Sequence, residues 1–252
     1  MPIFDTYAHY DDEAFDADRT AVLEHQKQNG VEFILNCCAS LESLTRVPQL
    51  AHEQDFMYFA AGLHPENLEG ADDSALQRIA SLLQDPKCLA VGEIGLDYYW
   101  NASPKEVQIE WFRRQTVLAK QHGLPIVVHD REAHGDTVAV LRELRPRGVL
   151  HAFSGSAEMA KEVLAMGMYL GIGGAFTFKN NKKAPEVLAV TPLERMLLET
   201  DCPYLSPVPL RGKRNQSVNL MHVAELIAAH KSVGLQEVLD VTAQNARNLF
   251  GF

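Results

Sequence analysis

Four separated apolar runs in this chain each lead to a side chain that binds metals well. Leu89-Ala90-Val91-Gly92 leads to Glu93, and Ile126-Val127-Val128 leads to His129. Gly148-Val149-Leu150 leads to His151, and Met196-Leu197-Leu198-Glu199-Thr200 leads to Asp201. His9 follows a fifth such segment in Asp5-Thr6-Tyr7-Ala8-His9. Three imidazoles and two carboxylates suit Zn²⁺, Mn²⁺, Co²⁺ or Fe²⁺, whereas an all-oxygen cage suits Mg²⁺ or Ca²⁺. A carboxylate such as Glu93 can also bridge two cations. The chemistry these types support is metal-dependent hydrolysis, in which the ion lowers the pKa of water and polarises the bond under attack.

Such scattered residues converge only if the segments carrying them lie side by side and point the same way. Short apolar runs bounded by turn residues read as buried parallel strands. Eight appear: Ile3–Thr6, Glu32–Asn36, Met57–Leu63, Cys88–Gly95, Pro125–His129, Gly148–His151, Met168–Gly173 and Arg195–Thr200. Helical stretches lie between them, among them Thr20–Asn29, Leu41–Glu53, Ser74–Gln84 and Ser156–Ala165, and Val218–Val233 and Leu235–Leu249 close the chain. In Pro104–His122, Ser103 is placed to cap with Glu106, Pro104 suits the first helical position, and Val107, Trp111 and Leu118 form an apolar stripe. Strand–helix alternation over 252 residues predicts an α/β protein, a single-domain (β/α)8 barrel over 1–252, with its site at the C-terminal strand ends. Two doubly wound domains are the rival, but no GxGxxG follows a strand and no Pro/Gly/Ser-rich linker divides the chain.

The formal net charge of −10 argues against coating long duplex through a general basic field. A polyanion must be handled locally, at the barrel mouth. Cys37, Cys38, Cys88 and Cys202 form no CxxC and are expected to be reduced thiols. Acidic residues crowd the N-terminus, and no apolar run approaches the roughly 18 residues of a membrane span, so a cytoplasmic location is expected.

Five motifs occur in order along the chain: Val91-Gly92-Glu93-Ile94-Gly95-Leu96-Asp97-Tyr98, Pro125–His129 with Arg131, His151-Ala152-Phe153-Ser154-Gly155, Leu198–Leu205, and Arg211-Gly212-Lys213-Arg214-Asn215. Together they closely resemble the TatD family of metal-dependent deoxyribonucleases, within the amidohydrolase-like barrels. The resemblance implies a two-metal centre hydrolysing phosphodiester bonds at DNA ends, using zinc, manganese or magnesium. It implies Glu93 as the bridging ligand, His129 and His151 on one ion, and His9 and Asp201 on the other. Asp201 is also placed to accept the proton of the attacking water. His64, in Gly62-Leu63-His64-Pro65, matches a family histidine and is assigned to the scissile phosphate as donor or acid.

One position departs from the pattern. The family starts with His-x-His, and here the first position is Tyr7. A phenol with a pKa near ~10 is a poor ligand at neutral pH, so the His9/Asp201 site is expected to be weak and the Glu93/His129/His151 site better filled. Arg211 and Arg214, following the eighth strand, are expected to hold the DNA or oligonucleotide backbone, with Lys179, Lys182 and Lys183 on a neighbouring loop. Glu199 is either a supporting group behind the site or a buried acid paired with a core base. Trp100 and Trp111 are read as packing residues, while Tyr98 and Tyr99 are placed either to stack on a base or to serve the rim otherwise. The rival functions are an amide or ester metallohydrolase, and a binding protein whose metal site has decayed at Tyr7. Oligomeric state is left open.

Overall fold

The computed structural model describes residues 2–100 and 102–252. The first four strands and their helices are β1 (Ile3–Ala8), α1 (Arg19–Gln28), β2 (Val31–Cys37), α2 (Ser43–Glu53), β3 (Met57–Ala60), α3 (Asp73–Leu82), β4 (Cys88–Asp97) and α4 (Lys105–Gln121). The second half runs β5 (Ile126–Arg131), α5 (His134–Leu144), β6 (Gly148–Leu150), α6 (Ala157–Ala165), β7 (Tyr169–Ile172), α7 (Ala184–Val190), β8 (Met196–Leu198), α8 (Leu220–Lys231) and α9 (Leu235–Phe250). All neighbouring strands pair in parallel in the order β1 to β8. The chain is a (β/α)8 barrel, as the alternation of apolar runs and helical stretches predicts.

Alternate residues on each strand face opposite ways, which splits the core into two layers. Inside the barrel lie Phe4, Phe33, Leu35, Leu89, Val127, Val149 and Leu197. Their neighbours in sequence, such as Ile3, Ile34, Ile126 and Leu198, pack outward against the helices. At the N-terminal end of the strands the interior is sealed by aromatic rings. Phe33 stacks on Phe4 and Phe252 with centroids 5.4 and 4.4 Å apart. Chemistry is thereby confined to the opposite rim.

Side chains close the barrel where regular pairing stops. The β1–β8 seam has one isolated parallel bridge, Ala8 to Cys202. Asp201 N–H donates to the Tyr7 carbonyl at 3.0 Å, and His9 N–H donates to the Cys202 carbonyl at 2.9 Å. Below them the buried carboxylate of Asp5 accepts from Thr200 N–H (2.9 Å), the Thr200 hydroxyl (2.6 Å) and the Ser217 hydroxyl (2.6 Å). The seam carries Asp201 and His9 directly, so Asp5 helps set their position.

Local details differ from the sequence reading. Helix α4 starts at Lys105 with Pro104 as its N-cap residue, and no side chain makes the capping bond expected of Ser103. The Ser103 carbonyl instead accepts from Gln108 Nε2 at 2.8 Å. Val107 is 36% exposed, and the buried face runs through Gln108, Trp111, Phe112, Gln115 and Ala119. The four cysteines are free and buried. Among the described residues no helix is long and apolar enough to cross a membrane.

Burial pushes Asp5 up to about 7 against the opposing pull of the Ser217 and Thr200 donors. A carboxyl whose folded pKa lies above its unfolded value contributes stability that is present at low pH. That contribution is lost as pH rises from about 4 through about 7, up to about 4 kcal/mol. Asp5→Asn should therefore lose less stability than the parent between pH 5 and pH 8. Asp5→Ala, which strands the buried Thr200 and Ser217 donors, should cost about 3 kcal/mol. Urea midpoints at the two pH values check both; parallel profiles for parent and Asp5→Asn would refute the assignment.

Candidate metal centre

Glu93 stands at the centre of the rim, fully buried at the C-terminal half of β4. Its Oε1 lies 2.9 Å from His129 Nδ1, 3.4 Å from His151 Nε2 and 3.6 Å from His64 Nε2. These imidazoles come from β5 and from the loops that follow β6 and β3. Burial alone would raise the Glu93 pKa, but His64, His129 and His151 together hold the carboxyl well below the ordinary range. Among the described residues no lysine or arginine pairs with Glu93, so imidazoles alone balance its charge.

Glycines permit this convergence. Gly95 has φ +143, and a Cβ there would run into the carbonyl oxygen of His129. A Cβ on Gly92 would meet the Val127 Cβ at 2.7 Å. The two glycines of the Gly92-Glu93-Ile94-Gly95 run thus let β4 and β5 approach closely enough for Glu93 and His129 to meet. Gly171 on β7 serves likewise, since a side chain there would fill the place of the Glu199 carboxylate.

Behind two of the histidines sits a carboxylate. His129 Nε2 faces Asp97 Oδ2 at 3.0 Å, and His151 Nδ1 faces Glu199 Oε1 at 3.3 Å. Despite burial, its hydrogen bonds to Asp97 and Glu93 push His129 up to about 10, and Glu199 raises His151 in the same sense. Carboxylate–imidazole pairs of this kind orient a ring and leave its other nitrogen free for an ion. Of Glu199's two possible roles, the geometry supports the first: its neighbours are His151 and the Ala152 amide, which donates to Oε1 at 2.5 Å. Two atoms here are buried without a hydrogen-bond partner, His151 Nδ1 and Glu199 Oε2. Three imidazoles around one carboxylate, with two more carboxylates behind, fit a divalent cation by the chemistry of the donor set.

His64 is different. Its Nδ1 accepts the main-chain N–H of Glu66 at 3.2 Å, which leaves the ring proton on Nε2, toward Glu93. Burial pushes it down to about 3, so the ring is neutral. The ligand atoms that lie within 4.8 Å of one another belong to His64, Glu93 and His129, rather than to a set that includes His151. Distance therefore favours His64 as a ligand. Its tautomer does not: with Nδ1 taken by the Glu66 amide, Nε2 could coordinate only if the ring lost its last proton, whereas His129 can keep one on the nitrogen that faces Asp97. Hydrogen bonding makes His64 a neutral donor through Nε2–H.

On the other side of the rim, His9 Nδ1 lies 3.1 Å from the Cys37 carbonyl and can only donate to it. Its remaining nitrogen, Nε2, lies 2.8 Å from the Tyr7 hydroxyl, which donates. Burial, with Glu93 and Asp201 nearby, raises the Tyr7 phenol well above its ordinary value and keeps the proton in place. Its ring stacks on His151 with centroids 3.6 Å apart. Asp201 Oδ1 is 3.9 Å from His9 Nε2 and sits in the left-handed region at φ +58, a strained position for aspartate. Burial raises Asp201 to about 6.

Sequence reasoning missed several supporting residues. Asp97, four residues beyond Glu93 on the same strand, was not singled out. Gln108 and Gln115, two helical turns apart on the buried face of α4, were missed as well. Gln108 accepts from Asp97 N–H at 2.8 Å and donates to its carbonyl at 3.0 Å. Gln115 makes the same pair with Leu63, beside His64, at 2.8 and 3.1 Å. Buried glutamines spaced seven apart within an apolar face were the available signal.

The two arginines share a cleft but differ in their partners. Arg214 is bidentate to Asp18 at 2.8 and 2.7 Å and donates to the Ala14 carbonyl at 2.6 Å, so its guanidinium is committed to α1 and its approach. Arg214 also lines the cleft that holds Arg211, so a phosphate there would compete with Asp18 for its guanidinium. Arg211 lies over the Phe178 ring at 3.6 Å, in a cleft of about 890 Å³ shared with Tyr204 and Asp12. Tyr204 N–H donates to the Asp201 carbonyl at 2.8 Å, which puts this cleft beside the rim. Trp111 is buried as expected, but Trp100 is 60% exposed and is no packing residue.

A family profile described as "TatD related DNase" matches residues 4–251. The chain is 43% identical to the uncharacterized metal-dependent hydrolase YabD of Bacillus subtilis, over 98% of each protein. It is 35% identical to the uncharacterized metal-dependent hydrolase YcfH of Escherichia coli, over 99% of this chain and 96% of that one. The crystal structure of the TatD homologue YjjV from Escherichia coli superposes with a TM-score of 0.93 at 31% identity, over 99% and 98% of the two chains.

Gly95→Ala should destabilise the protein by about 2 kcal/mol more than Gly70→Ala, since both glycines have positive φ but only Gly95 is enclosed. Equal urea midpoints for the two variants would remove the close-approach role.

Proposed function

The chain belongs to the TatD-related DNase family, and from that premise we propose that it is a divalent-metal-dependent phosphodiesterase trimming DNA ends or short oligonucleotides. One observation carries the reading: a buried Glu93 ringed by three imidazoles, two of them backed by carboxylates, with no lysine or arginine paired to it among the described residues. Glu93, His129 and His151 would hold the ion. When bound, such an ion supplies a Lewis acid for the phosphoryl oxygen and lowers the pKa of water.

The chain's own residues supply the rest. Asp201, ionised above about 6, is the base that takes a proton from the attacking water. His64 offers its Nε2–H to a phosphoryl oxygen, and Gln115 steadies it through Leu63. Arg211 meets the backbone in the cleft beside Asp201, its guanidinium braced on Phe178. Cations at the rim of a chain with net charge −10 favour a phosphodiester over a neutral amide or ester.

Tyr7 shapes the stoichiometry. Its hydroxyl proton occupies the one lone pair His9 has left, so His9 and Asp201 lack a free nitrogen to share an ion. The protein should bind about one ion per chain, and Tyr7→His should add a second.

Elemental analysis and calorimetric titration would check the count; two tight equivalents in the parent protein would refute it. Glu93→Gln or exhaustive chelation should abolish nucleotide release from a labelled oligonucleotide. Asp201→Asn should lower kcat by about 10²- to 10⁴-fold. Robust amide or ester hydrolysis without oligonucleotide cleavage would overturn the substrate assignment.

A further inference from the structure

Directly beyond Asp97, two large aromatic side chains stand in solvent, Tyr99 at 56% and Trp100 at 60% exposure. They are held firmly. Asp97 Oδ1 accepts the backbone N–H of Tyr99 and that of Trp100, each at 2.9 Å, while its Oδ2 faces His129. One carboxylate therefore ties the aromatic pair to a histidine of the metal centre. The two rings meet edge to face with centroids 5.0 Å apart and planes at 87°.

Arg131, two residues beyond His129 on β5, brings its guanidinium to 4.0 Å from the Tyr99 centroid and 5.4 Å from that of Trp100. Among the described residues it forms no ion pair. Lys105 Nζ sits 4.1 Å over Tyr98, whose hydroxyl donates to Asp136. Glu66 feels the charge of Arg131, though burial raises its carboxyl overall. A solvated rim needs no such arrangement, since exposing two adjacent aromatic faces is unfavourable unless something covers them.

We propose that Tyr99, Trp100 and Arg131 form a stacking platform for an unpaired nucleobase of the strand whose phosphodiester reaches Glu93. The proposal rests on the phosphodiesterase reading above and names the part of the substrate that this side of the mouth recognises. A π-face flanked by a guanidinium accepts any base and tolerates sequence. Inside a duplex both faces of each base are covered by its neighbours, so the platform favours an unpaired nucleotide. Strands β4 and β5 carry the platform, whereas Arg211 follows β8 across the barrel. A strand crossing the mouth would meet a base contact on one side and a backbone contact on the other.

Two measurements test it. Metal-loaded parent enzyme is given single-stranded thymidine oligomers, intact or with an abasic tetrahydrofuran residue at each of the terminal positions in turn. At one position the loss of the base should lower kcat/KM about fivefold to a hundredfold, the range for one stacked base. In Tyr99→Ala/Trp100→Ala that ratio should fall to about one, while Tyr99→Phe/Trp100→Phe should keep it. A parent-like ratio in the alanine variant would overturn the platform. Trp100 fluorescence reads binding separately, since Trp111 is buried. A cleavage-resistant phosphorothioate thymidine oligomer should quench it, and a fully abasic one should not; no quenching by either would also overturn the proposal. If the parent cleaves no oligonucleotide, the phosphodiesterase reading fails, and quenching still decides whether the platform binds bases.

Discussion

The arrangement of this protein depends on keeping one carboxylate ionised in the barrel interior. Glu93 is nearly inaccessible, and a bare buried carboxylate would be far too costly without compensation. Compensation comes from the rings of His64, His129 and His151, each within 3.6 Å. Those rings in turn need support, which Asp97 and Glu199 give to His129 and His151 and a main-chain amide gives to His64. The result is a polar network that is only partly satisfied from within. The unpartnered atoms of His151 and Glu199 lie in it. Such a network is poised to gain from a cation.

Geometry that tight is a property of the frame. Gly92 and Gly95 remove side chains where β4 and β5 approach, and Gly171 clears space for Glu199. Gln108 and Gln115 grip main-chain groups of Asp97 and Leu63 from the helix layer, fixing two stretches of the rim. At the β1–β8 seam Asp5 gathers Thr200 and Ser217, so Asp201 is carried on a seam built of side-chain bonds. Stability and site geometry meet in these residues, since each satisfies a buried polar group and positions a side chain at the rim.

Tyr7 changes which groups the rim offers beside His9. A histidine there would offer a lone pair; the phenol offers a proton, and His9 is where it goes. The same ring covers one face of His151. The substitution is thus compatible with a well-packed site, and its effect falls on the number of donors rather than on the fold.

Much was legible from the residues alone. The two-fold and 3.6-fold periodicities are local, so eight strands and most of the helices could be placed to within a few residues, α5 and α7 not among them. Parallel strands then forced Glu93, His129, His151, Asp201 and His9 to one rim. What stayed hidden depends on partners far apart in sequence: Arg214 turned toward Asp18, Glu199 seated behind His151, and Asp97 joined to both His129 and the Trp100 loop. The His64 tautomer, the exposure of Trp100 and the capture of His9 by Tyr7 belong to the same class. Residue type and spacing determine which groups arrive at the rim. Which way each one faces, and which proton it keeps, follows from neighbours that only the closed barrel supplies.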